Sequence, residues 1–142
     1  MDKFLAFTGL LLLSLSANAH DTRLVCPERI RFDSGSLSAV DLPPSATVMV
    51  TSAPQLLSGV SVFDGPPAEG AELMPVNTGK SDTTIVWRIE SPSPQGVWLA
   101  CNYGSQVARV VVKVEGTPAR CEAQLTRGGA PRVLRATVSC TH

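Results

Sequence analysis

Eleven prolines and eleven glycines cut this chain of 142 residues into short segments, and that punctuation limits what it can fold into. Proline fixes φ and lacks a backbone N–H, while glycine readily leaves a regular ladder, so both stop or bend an element. After residue 20 no segment keeps a helical period over three turns. Between the stops lie short runs that alternate or are rich in β-branched residues, at intervals of about 8–12 residues. The expected fold is all-β: a single-domain antiparallel β-sandwich or partly open barrel with two disulfides.

The run Gly96-Val97-Trp98-Leu99-Ala100-Cys101-Asn102-Tyr103-Gly104 is the clearest strand. Alternation places Val97, Leu99, Cys101 and Tyr103 on one face and Trp98, Ala100 and Asn102 on the other. It reads as the central, crosslinked strand of the core. Further strands are expected at residues 24–32 (interrupted at Cys26-Pro27), 46–52, 60–63, 71–76, 82–90, 106–114, 121–127 and 132–140. In the run 82–90, Thr83, Ile85, Trp87 and Ile89 form the core face. Residues 34–45 read as a loop, 55–58 as a connector, and 77–81 and 91–96 as turns.

The first nineteen residues read as a signal peptide: Lys3, a short apolar run, and Ala17-Asn18-Ala19 as the cleavage site. The apolar run is short for a membrane span and no stop-transfer run follows, so no membrane anchor is expected. The mature chain, residues 20–142, is then one β domain exported to the periplasm.

Its four cysteines, Cys26, Cys101, Cys121 and Cys140, form an even set in an exported chain. That implies two disulfides, with three connectivities open. A zinc site would need a close cysteine pair such as C-x-x-C, and there is none. Faces then favour one connectivity. Pairing Arg127 with Arg132 in the last hairpin sets Cys121 near Val138, a diagonal step from Cys140, with both cysteines turned to the core. Cys121–Cys140 is therefore expected, leaving Cys26–Cys101.

Charge excludes some partners. Twelve basic and twelve acidic residues give a net charge of zero without a basic block. Nucleic acid and anionic lipid are disfavoured, since both need clustered Lys and Arg.

Reactive constellations are equally sparse. The two histidines, His20 and His142, stand at the ends of the mature chain, poorly placed for an oriented catalytic base. A mature N-terminal His20 has copper-chelating chemistry but needs a second imidazole, which only His142 could supply. Asp64, Glu69 and Glu72 lie in a proline-rich turn without an aromatic sugar platform, and read as solvated loop charges. Gly79-Lys80-Ser81 resembles the end of a phosphate loop, but Met74 stands where its first glycine belongs. No enzyme activity and no cofactor are expected.

The distinctive exposed feature is Asp64-Gly65-Pro66-Pro67-Ala68-Glu69-Gly70. Two prolines stiffen it and lower the ordering cost of binding, so Asp64, Gly65, Pro66, Pro67 and Glu69 are the expected partner contacts. The competing reading is a rigid strand connection. Arg127, Arg132 and Arg135 around the last hairpin form a second polar candidate, as a solvated edge.

Several pieces together are familiar: Val60-Ser61-Val62-Phe63-Asp64-Gly65-Pro66-Pro67, Glu69, Leu73-Met74-Pro75, Trp87, Trp98-Leu99-Ala100-Cys101-Asn102-Tyr103, Cys121 and Cys140. In this order they resemble a family of small secreted proteobacterial proteins, some encoded near type VI secretion loci. The layout is similar to small periplasmic immunity proteins that block peptidoglycan amidase effectors. The resemblance implies a non-enzymatic protein whose partner is another protein of the cell envelope. The alternative is an envelope component that binds glycan or metal, or assists assembly.

Overall fold

In the computed structural model, residues 21–31, 53–76, 83–129 and 133–142 are described. The expected signal peptide with His20, the strand at 46–52, the loop at 34–45, the turn at 77–81 and Arg132 lie outside them.

The described residues form eight strands in chain order: β1 (Thr22–Cys26), β2 (Arg29–Ile30), β3 (Gln55–Asp64), β4 (Thr84–Arg88), β5 (Val97–Tyr103), β6 (Ala108–Lys113), β7 (Arg120–Gly128) and β8 (Val133–Thr141). They form two four-stranded antiparallel sheets, ordered β1-β8-β7-β4 and β2-β3-β5-β6. The sandwich alternative is the observed one, and the barrel is not closed. Among the described residues no helix is long and apolar enough to cross a membrane.

The core lies between the sheets, where alternation sends one face of each strand. Val97, Leu99, Cys101 and Tyr103 of β5 are fully buried, as their spacing requires. With Val62, Trp87, Val114, Ala123 and Val138 they enclose both disulfides. Cys26–Cys101 joins β1 of one sheet to β5 of the other, with Cα atoms 5.7 Å apart. Cys121–Cys140 joins neighbouring strands of one sheet, with Cα atoms 4.1 Å apart.

Several expected details shift. Residues 55–58 are not a connector but the start of the ten-residue β3. A bulge between Leu57 and Gly59 inserts one residue opposite β5 and breaks the alternation there. In the last hairpin Arg127 lies opposite Leu134, and Cys121 directly opposite Cys140. The expected register was off by two residues, and an even slip leaves every side chain on its expected face.

Residues 71–76 are not a strand but an arm with two isolated bridges, Phe63 to Glu72 and Val76 to Val86. The first attaches it to one sheet and the second to the other. The Trp87 indole N–H donates to the Leu73 carbonyl at 3.1 Å, which pins the arm between them. The chain also changes sheets at Cys26-Pro27-Glu28, where the Leu57 N–H donates to the Glu28 carbonyl at 3.0 Å. Both crossings border the same edge of β3, because β5 occupies its other edge.

Candidate functional site

The Asp64–Gly70 loop begins where β3 ends. Gly65 has φ of +92°, a region that L side chains rarely adopt, and a Cβ there would lie 2.8 Å from Gln95 Oε1. That backbone needs glycine. Pro67–Glu69 forms one 3₁₀ turn, closed by the Glu69 N–H on the Pro66 carbonyl at 2.9 Å and ended by Gly70 in the left-handed region. Proline opens the turn with its φ already set.

A second proline-rich loop, residues 91–96, braces the first. The Asp64 carboxylate accepts the Ser93 N–H at 2.7 Å. The Gly65 N–H donates to the Gly96 carbonyl at 2.8 Å. The Gln95 side-chain amide donates to Glu69 Oε1 at 3.1 Å. Asp64 is thus a half-buried brace, whereas Glu69 is an exposed carboxylate on a stiff support. All five residues singled out from the sequence come together here, and Ser93, Gln95 and Gly96 join them.

Beside these loops is an open cleft of about 730 Å³ lined in part by Pro92, Ser93, Lys113, Glu115 and Gly116. The His142 imidazole lies close to Gly116, and a Cβ on that glycine would lie 2.9 Å from it. Among the described residues no group of three or more His, Cys, Asp or Glu side chains is placed to hold a metal. Of the hairpin arginines, Arg135 is an exposed ion-pair partner of Glu28, and Arg127 is exposed.

The outer face of the β3–β5–β6 sheet carries a polar chain that strand-by-strand reading does not show. Ser61 Oγ donates to Glu72 Oε1 at 2.5 Å and accepts from the Asn102 amide at 2.8 Å. Asn102 Oδ1 accepts from Arg109 Nε at 3.1 Å, and Arg109 also donates to Gln106 Oε1 at 2.9 Å. The Arg109 guanidinium lies over the Phe63 ring at 5.1 Å, a cation–π arrangement. Ser61 and Asn102 are only 2% and 5% exposed, so their hydrogen bonds are obligatory rather than decorative. The following turn holds Ser105 and Gln106 at φ of +56° and +75°, a backbone cost of about 1–3 kcal/mol each. Ser61 and Asn102 were legible as strand residues, but only cross-strand register unites them with Glu72.

The described residues thus form a small β-sandwich stapled by two disulfides, which presents braced loops and a polar sheet face. Its affiliation is specific: the chain belongs to the Type VI secretion system Tli immunity protein family, whose model matches residues 52–141. Comparison with curated proteins and with solved structures returned no match.

Proposed function

We propose that this protein is a non-enzymatic immunity protein that binds and neutralises a type VI effector in the periplasm, after cleavage of its signal peptide at Ala19. Membership of the immunity family over residues 52–141 carries the reading. That span includes β3 to β8, both braced loops and three of the four cysteines. Rigid loops suit the task, because a preformed surface avoids the ordering cost of binding.

The Asp64–Glu69 loop is the proposed contact, with Glu69 meeting the effector and Asp64 holding the loop in place. The layout resemblance extends the proposal to a peptidoglycan amidase as the effector blocked.

The test pairs the mature chain with the effector encoded beside its gene. Expected are a stable complex and loss of peptidoglycan amide hydrolysis at equimolar protein. A complex in which the effector cleaves a different envelope substrate keeps the immunity reading and removes the amidase. No complex removes both. Within the complex, Glu69→Ala should weaken affinity about tenfold, or ~1.4 kcal/mol. Asp64→Ala should weaken it too, and should also lower the melting temperature, because the Ser93 N–H loses its acceptor. Unchanged affinity in both moves the interface off this loop.

A further inference from the structure

The polar chain on the outer sheet face surrounds a hollow of about 410 Å³, lined by Ser58, Gly59, Ser61, Glu72, Asn102 and Gln106, among others. Its floor is Gly59, where a Cβ would meet nothing within 4 Å. The bulge at Ser58 opens it, because two successive residues, Ser58 and Gly59, leave the core face together between Leu57 and Val60. Ser58 Oγ is tied back to the Asn102 carbonyl at 3.0 Å. The left-handed turn at Ser105 and Gln106 forms its far wall. A bulge and a strained turn thus border one concavity, and both devices concentrate at binding sites.

We propose that this hollow receives a basic side chain of the effector, which pairs with Glu72. The inference rests on the immunity reading above and adds the place and chemistry of one contact. Charge decides the occupant. Glu72 is the only ionisable group lining the hollow among the described residues. Its Oε1 is held by Ser61, and its Oε2 has no partner among the described residues. The nearby cation, Arg109, is committed to Asn102, Gln106 and the Phe63 ring, so it does not neutralise that oxygen by contact. Asn102 uses one amide hydrogen on Ser61 and holds the hydroxyl that orients the carboxylate. A carboxylate fixed by a buried network meets a lysine or arginine without first being ordered, which favours a charge-assisted hydrogen bond.

The geometry supplies a blocking variant that should not disturb the fold. Gly59 lies outside the left-handed region and has open space above it, so Gly59→Leu fills the hollow without a clash. Affinity for the adjacent effector, purified as a catalytically inactive variant, is measured by calorimetry at low and high salt. Expected are a loss of at least tenfold for Gly59→Leu and for Glu72→Gln, with unchanged melting temperatures. The wild-type salt dependence should be flattened in Glu72→Gln. Glu122→Gln, on the other sheet, should bind like wild type. Wild-type binding that survives Gly59→Leu within twofold overturns the hollow and leaves the immunity reading intact. Loss with Gly59→Leu but not with Glu72→Gln overturns the basic occupant. Absence of wild-type binding overturns both readings together.

Discussion

Tyr103 ends the central strand, and its phenol donates to the Pro27 carbonyl at 2.8 Å, where the chain passes from one sheet to the other. The ring is fully buried, and burial pushes its pKa above the ordinary phenol value. An unfolded tyrosine ionises near pH ~10. Above that pH the folded protein still holds the proton that the unfolded chain has released, so stability falls as pH rises. Tyr103→Phe should cost about 1 kcal/mol at neutral pH, at the low end because water can reach the exposed Pro27. The gap between wild type and variant should narrow from pH 10 upward in thermal melts. A gap that widens refutes the account. The opposite sign applies to Glu122, whose carboxyl is held below its usual range chiefly by the hydrogen bond from Arg120. Its contribution is present above the usual carboxylate pKa and lost as pH falls through the lowered one. Both partners are partly exposed, so it amounts to a few tenths of a kcal/mol.

Among elements, the two disulfides differ in what they join. Cys26–Cys101 closes a span of 75 residues between sheets, and Cys121–Cys140 one of 19 between neighbouring strands already paired. The chain-entropy model assigns about 4.5 kcal/mol to the first and about 3 to the second. Cys26→Ser with Cys101→Ser should therefore lower stability more than Cys121→Ala with Cys140→Ala, as read from urea midpoints at constant slope. Equal losses would mean that the inter-sheet contacts hold without their bridge. This connectivity was legible because strand parity puts Cys121 and Cys140 on one face, and the register slip of two residues keeps that parity. Strand β3 was less so. Leu57 and Val60 face the core three residues apart, which violates alternation, so its first half reads as a connector. The arm at 71–76 was illegible for another reason. It makes one bridge to each sheet, and Leu73 and Val76 serve two different partners that no local period encodes. Asp64 shows the same limit within the candidate site: proline spacing marks the loop, but its brace to Ser93 comes from 29 residues away.

At the scale of the whole molecule, oxidation and location become one question. The two bridges together are worth about 7–8 kcal/mol by the same model, comparable to the total stability of a small domain. A chain confined to a reducing compartment would lose most of that margin, which agrees with the proposed export to the periplasm. The chain beginning at His20, expressed without residues 1–19, should therefore fail to protect cells from an effector delivered to their periplasm, whereas the full chain protects them. Misplacement and misfolding would both give that result. Expressing the leaderless chain in a strain with an oxidising cytoplasm separates them, because there it should form both disulfides and bind the purified effector while still giving no protection. If this oxidised leaderless chain protects the cell, the encounter takes place in the cytoplasm and the periplasmic proposal fails. If it remains unfolded with both bridges formed, then residues 1–19 serve the fold itself, and their reading as a cleaved signal is wrong.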